Sequence, residues 1–137
     1  MLEVSTTRAA EPAEVLRLLR QASWGARRTL EDVRTALSVA PMHAGAWEDG
    51  RLVGFARAVT DGVYRGFIED VVIDEAVRGR GVGRELVGAL LAALDHLEVV
   101  ALDCPPRLVG FYEGVGLRVS ANTRLERVRG DGTGRPD

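Results

Sequence analysis

The chain contains no lysine; all 18 of its basic residues are arginine. A nucleotide P-loop needs Gly-Lys-Ser/Thr to reach the terminal phosphates and the magnesium ion, so that chemistry is excluded. Pyridoxal phosphate would need a lysine for its Schiff base, and it is excluded too. The chain equally has no lysine side chain on which to acylate itself. Cysteine is nearly absent: Cys104 stands alone, which rules out an intrachain disulfide and makes a reducing compartment the default. With only His43 and His96 besides, scattered along the chain, a zinc site is not expected and no metal is assigned. No apolar run approaches ~20 residues, and no basic segment leads into an apolar core at the N-terminus. Neither membrane insertion nor secretion is expected, and the location is read as cytoplasmic. A net charge of −2 leaves no basic face for nucleic acid.

The chain's 137 residues are enough for one domain with a real core and too few for two. Its 46% apolar and 28% charged residues are ordinary for a globular protein. The domain is read as residues 1–129. The glycine-rich remainder, Gly130 to Asp137, reads as a disordered tail.

Leu2 to Thr6 reads as a strand. Pro12 then opens a helix carrying Val15, Leu16, Leu18 and Leu19 to about Ser23. Thr29, with Asp32 three residues on, caps a second helix that Pro41 stops. Met42 to Glu48 and Leu52 to Val59 form a hairpin about Asp49-Gly50. A turn at Asp61-Gly62 leads to a longer strand, Arg65 to Ile73. Val82, Leu86, Val87, Leu90, Leu91, Leu94 and Leu97 recur at helical spacing. A strand at about Glu98 to Asp103 follows, then a short helix from about Arg107 to Glu113, and a last strand or strand pair over Leu117 to Val128. The order is β-α-α-β-β-β-α-β-α-β, a mixed α/β fold.

Between the longest strand and the most regular helix lies Arg78-Gly79-Arg80-Gly81-Val82-Gly83-Arg84. Glycines let a ligand approach the backbone, and the first N–H groups of the following helix have no partner within it. The helix dipole favours an anion there, and forked arginine donors suit phosphate. The segment therefore reads as a phosphate cradle. The dinucleotide fingerprint Gly-x-Gly-x-x-Gly is not met from either Gly79 or Gly81.

About thirty residues further on comes Phe111-Tyr112-Glu113-Gly114-Val115-Gly116-Leu117. With this second motif and the element order, the chain resembles the GNAT (Gcn5-related N-acetyltransferase) family from about Leu2 to about Val128. Arg78 to Gly83 fits the family signature Gln/Arg-x-x-Gly-x-Gly/Ala. The resemblance implies a central sheet of six to seven strands with about four helices, and acetyl-CoA as co-substrate. Its pyrophosphate is expected on Arg78, Gly79, Arg80, Gly81, Val82, Gly83 and Arg84, and its pantetheine arm along Val71, Val72 and Ile73. Tyr112 matches the family tyrosine that can protonate the departing thiolate; packing beside Phe111 is the plainer alternative. Asp70 and Glu69 are candidate bases, with Asp70 preferred. Adjacent strand residues face opposite sides, but the family's strand is often bulged here, so parity does not choose between them. Trp24, Arg27 and Arg28 lie where the family often walls its acceptor pocket, and suit an anionic or aromatic acceptor. Two departures stand out: Pro105 replaces a common asparagine that contacts pantetheine, and Leu117 replaces the usual closing phenylalanine.

The function expected is acetyl transfer from acetyl-CoA to a primary amine of a small molecule, with no nucleic-acid or membrane partner. The alternatives are a non-catalytic acyl-CoA sensor and a protein- or peptide-directed acetyltransferase. A homodimer through the late strands is left open.

Overall fold

Alternation and turn chemistry lay down the sheet. In the computed structural model, which describes residues 1–129, the strands are β1 (Leu2–Ser5), β2 (His43–Glu48), β3 (Arg51–Thr60), β4 (Arg65–Ile73) and β5 (Val99–Ala101). They form one sheet in the order β1-β2-β3-β4-β5. The first four pair antiparallel and β5 joins β4 in parallel. The β2–β3 hairpin turns on Asp49 and Gly50, with φ of 52° and 78°, as a two-residue loop matched to strand twist requires. The parallel pair needs a crossover, which α3 (Val82–Ala93) provides.

Helices α1 (Pro12–Leu19) and α2 (Leu30–Val39) cover one face of the sheet. Val15, Leu18 and Leu19 of α1 and Val33 of α2 bury against Trp47, Leu52, Phe55 and Val72. On the other face Leu86, Leu90 and Leu94 pack on Ala44, Ala46, Ala56, Ala58 and Ile68. Each sheet face is apolar along alternate strand positions, so both layers seal against water. The cap expected at Thr29 is present: its side chain accepts from the Asp32 N–H at 3.2 Å. The first helix ends at Leu19, short of Ser23, and continues into a 3-10 turn at Ser23–Gly25.

One expectation fails. Among the described residues no strand forms over 117–128, so the sheet has five strands where six to seven were expected. After α4 (Val109–Gly114) the chain runs on without regular structure. Val119 and Leu125 are 69% and 88% exposed. Ordering a strand requires buried apolar surface to offset lost backbone entropy, and these side chains bury little. Residues 130–137, read from the sequence as a disordered tail, lie outside the described residues.

Asp74, buried at the end of β4, ties α1 to the sheet just before the glycine loop. It accepts from Arg17 Nη1 and from the Ala76 N–H, both at 3.0 Å, and Arg17 also donates to the Leu52 carbonyl at 2.6 Å. The Ala76 N–H, then Arg17 and Gln21, outweigh desolvation and hold the Asp74 carboxyl below its usual range. A depressed carboxyl contributes stability at pH values above the unfolded value of about 4 and loses it as pH falls through the folded value. Asp74→Asn is therefore expected to lower unfolding free energy by about 1–3 kcal/mol at pH 7. Urea titrations should show the deficit shrinking below about pH 4.

Candidate functional site

The glycine loop takes the geometry its sequence calls for. A 3-10 turn at Glu75–Val77 leads into Arg78, and Gly79 and Gly81 follow with φ of 81° and 80°. Gly81 is the N-cap of α3, so the loop delivers the chain straight into a helix N-terminus. A Cβ on Gly79 or Gly81 would meet nothing within 4 Å. These glycines answer a backbone conformation that other residues resist, and they leave the space above the loop open. The unpaired N–H groups of the first turn of α3 line that space. Arg78 donates through Nε to the Ile73 carbonyl at 3.2 Å, and Arg84 lies against Gly114.

Arg80 is engaged elsewhere. Its guanidinium makes a bidentate pair with Glu48 at the end of β2, Nη1 lying 3.2 Å from Oε1. The hydrogen bond from Arg80 pulls the Glu48 carboxyl below its usual range. A phosphate on the loop must share Arg80 with Glu48. Because the pair is exposed, Glu48→Gln should tighten CoA binding by no more than about fivefold in calorimetric titration.

β4 presents the next part of the site. Its pairing with β5 covers only Arg65 to Phe67, opposite Val99 to Ala101. β5 ends there, so among the described residues the β5 side of Val71, Val72 and Ile73 has no strand partner. Unpaired N–H and C=O groups along such an edge can bond an extended amide-containing ligand. The β3–β4 register slips here as well, Phe55 facing Val72 while Arg57 faces Glu69. The extra residue is taken up at Asp70, whose φ is 59°. This bulge is why side-chain parity fails along the strand.

The bulge turns Asp70 towards α1 and α2, where it is nearly inaccessible. Arg28 Nη1 and Nη2 donate to its two carboxylate oxygens at 3.0 and 3.1 Å, and Arg57 Nε donates to Oδ2 at 2.6 Å. Arg28 comes from the loop between α1 and α2, its guanidinium carbon 5.6 Å from the Trp24 ring centroid. Trp24 packs on the α1–α2 core, whereas Arg27 is exposed. The Glu69 side chain is half-buried and makes no hydrogen bond or ion pair among the described residues. The Asp70 cluster borders a cavity of about 280 Å³ lined by Val15, Leu19, Val33, Leu37 and Phe55 and bordered also by Asp32. Arg57 was not singled out in the sequence. A lone arginine inside an otherwise apolar strand was the available signal. Nothing local pointed to Glu48.

Tyr112 lies on α4, 8% exposed, with Phe111 edge-on at 5.0 Å between ring centroids. Burial first, and the neighbouring Cys104 second, push its phenol above the ordinary value. The helix docks onto the loop: a Cβ on Gly83 would lie 3.4 Å from Phe111 Cζ and 3.6 Å from Ile73 Cγ1. Gly83 thus lets both motifs and the end of β4 close on one point. Among the described residues no group of His, Cys, Asp and Glu is arranged to hold a metal ion.

The model of the acetyltransferase (GNAT) family matches residues 9–117, well over half of the chain. The chain belongs to that family. Both motifs and the loop between α1 and α2 fall inside the matched span. An uncharacterized ycf52-like N-acetyltransferase of Prochlorococcus marinus is 33% identical over 118 residues, 82% of this chain and 65% of that protein. Serotonin N-acetyltransferase 2, chloroplastic, of Oryza sativa subsp. japonica is 44% identical over 69 residues, 49% of this chain and 34% of that protein. The chain therefore spans less than two thirds of the length of these relatives. Among solved structures, a GNAT-family protein from Xanthomonas campestris pv. campestris superposes with a TM-score of 0.82 at 26% identity, covering 98% of each chain. No helix among the described residues is long and apolar enough to cross a membrane.

Proposed function

We propose that the protein is an acetyl-CoA-dependent N-acetyltransferase acting on a small primary amine by direct transfer in a ternary complex. The observation that carries this reading is the convergence of the glycine loop, the unpaired edge of β4 and the Tyr112 helix around Gly83. Pyrophosphate suits the loop N–H groups with Arg78, Arg80 and Arg84, and an amide-bearing arm suits the free edge at Val71, Val72 and Ile73. In the transfer, the amine nitrogen bonds to the acetyl carbon as the carbon–sulfur bond breaks. A backbone N–H near Val72 on the open edge of β4 is suited to the developing oxyanion, where such a donor supplies several kcal/mol. Tyr112, kept protonated by burial, gives its proton to the departing thiolate. The ammonium proton leaves through Asp70 or Glu69. Asp70, held among arginines, organises the amine end, and Glu69 is the alternative carboxylate. Trp24 and Arg28, with Arg27 at the rim, wall the acceptor side.

A small acceptor is favoured because the cavity lies just below the ~300–1,000 Å³ range of drug-sized sites. A cytoplasmic location is part of this reading and rests on the lone cysteine, Cys104. A second reading, an arylalkylamine acceptor, is favoured by the apolar cavity wall and by the serotonin named for the rice relative. Thiol release from acetyl-CoA over a panel of amines, amino acids and peptides tests the proposal. Turnover with small amines supports it. CoA binding without turnover on any of them would leave a non-catalytic acyl-CoA sensor, and turnover on peptides alone would leave a protein-directed enzyme.

A further inference from the structure

We infer that the acceptor is a free apolar α-amino acid, with its ammonium directed to Asp70 and its carboxylate to Arg57. This rests on the acetyltransferase reading and specifies the amine. The cavity has two ends of different character. One is hydrocarbon, from Val15, Leu19, Val33 and Leu37; the other gathers Arg28, Arg57 and Asp70. Two guanidiniums face a single carboxylate there, so the interior carries one uncompensated positive charge. Asp32 also borders the cavity, but it is exposed in the first turn of α2, where water screens it.

Arg57 decides the chemistry. Its Nε is spent on Asp70, while its two terminal nitrogens have no hydrogen-bond partner among the described residues. The side chain is only 15% exposed, yet among those residues no fully buried side-chain nitrogen or oxygen lacks a partner. These nitrogens therefore reach open space beside the cavity. A planar forked donor with net positive charge at the margin of an apolar chamber matches a carboxylate. Asp70 offers about four lone-pair positions. Three guanidinium N–H groups fill all but one, which leaves a place for an ammonium. The cavity of about 280 Å³ holds roughly nine water molecules at about 30 Å³ each, room for a single amino acid.

The test uses thiol release from acetyl-CoA by the full-length protein. L-leucine is compared with 3-methylbutylamine and with L-leucinamide, and separately with glycine. The alkylamine is more basic than leucine and the amide less basic, so amine basicity cannot imitate a preference for leucine over both. Leucine is expected to exceed each of the three in kcat/KM by about tenfold or more. Arg57→Gln should bring the leucine-to-alkylamine ratio to about threefold or less, mainly through KM for leucine. Being a ratio, it does not depend on how much of the variant folds. Parity or preference for 3-methylbutylamine or leucinamide in the unaltered protein would overturn the inference and leave the acetyltransferase intact. A ratio unmoved by Arg57→Gln would overturn it equally. No thiol release with any amine, amino acid or peptide would overturn the acetyltransferase reading and this inference with it.

Discussion

Tyr112→Phe is expected to lower kcat for acetyl transfer by about 10²-fold or more while KM for acetyl-CoA moves little. The expectation follows from where the phenol stands. Tyr112 is buried on α4, the helix that docks through Phe111 onto Gly83, and burial raises its pKa above the ordinary value. A phenol so placed is protonated throughout the neutral range and can donate to a thiolate forming beside it. Phenylalanine keeps the ring and its edge-on contact with Phe111, so packing survives and only the proton is lost. Thermal unfolding of the variant should match the parent to within about 1 kcal/mol. The pH profile adds a signature: the proton donor is present below the raised pKa, so the alkaline fall in kcat from Tyr112 should lie above about pH 10. Steady-state kinetics from pH 7 to 11 would show this. A fall in kcat of less than about threefold would return Tyr112 to a packing role.

Asp70→Ala should unfold far more readily than the parent, by about 3 kcal/mol, or roughly 10 °C in melting temperature. Removing this carboxylate strands Arg57, 15% exposed, and releases both hydrogen bonds from Arg28. Leaving a buried charge without its partner costs about 3–5 kcal/mol, and the lower end applies because the Arg28 side chain is 34% exposed. Alanine also tolerates the positive φ of 59° less well than aspartate does. The Arg28 loop should loosen with the loss, so KM for the acceptor rises while CoA affinity stays near that of the parent. Denaturant titration and calorimetric CoA binding measure the two effects separately. A base with no anchoring role would give the opposite pattern, with turnover abolished and stability unchanged. Running Asp70→Asn and Glu69→Gln through the same kcat–pH profile identifies which carboxylate handles the proton.

What the sequence determined by itself was everything that rests on local backbone chemistry. Asp49-Gly50 makes a hairpin because both positions need positive φ. Thr29 caps α2 because its side chain reaches an N–H three residues on. Gly79 and Gly81 carry the loop into α3 because few other residues adopt that backbone. The resemblance to the family followed from such short motifs joined by regular spacing. Tertiary structure decided the rest. The ion pairs that border the cavity join Asp70 to Arg57 and Arg28, 13 and 42 positions away. Arg80 meets Glu48 across 32 positions. No periodicity carries that information, since these contacts depend on how layers and strand edges meet. The bulge at Asp70 broke the alternation by which its direction would be read. Over 117–128 a strand was expected, but Val119 and Leu125 stay exposed and no strand forms among the described residues. Pattern states what a segment can form; burial and partners settle whether it does.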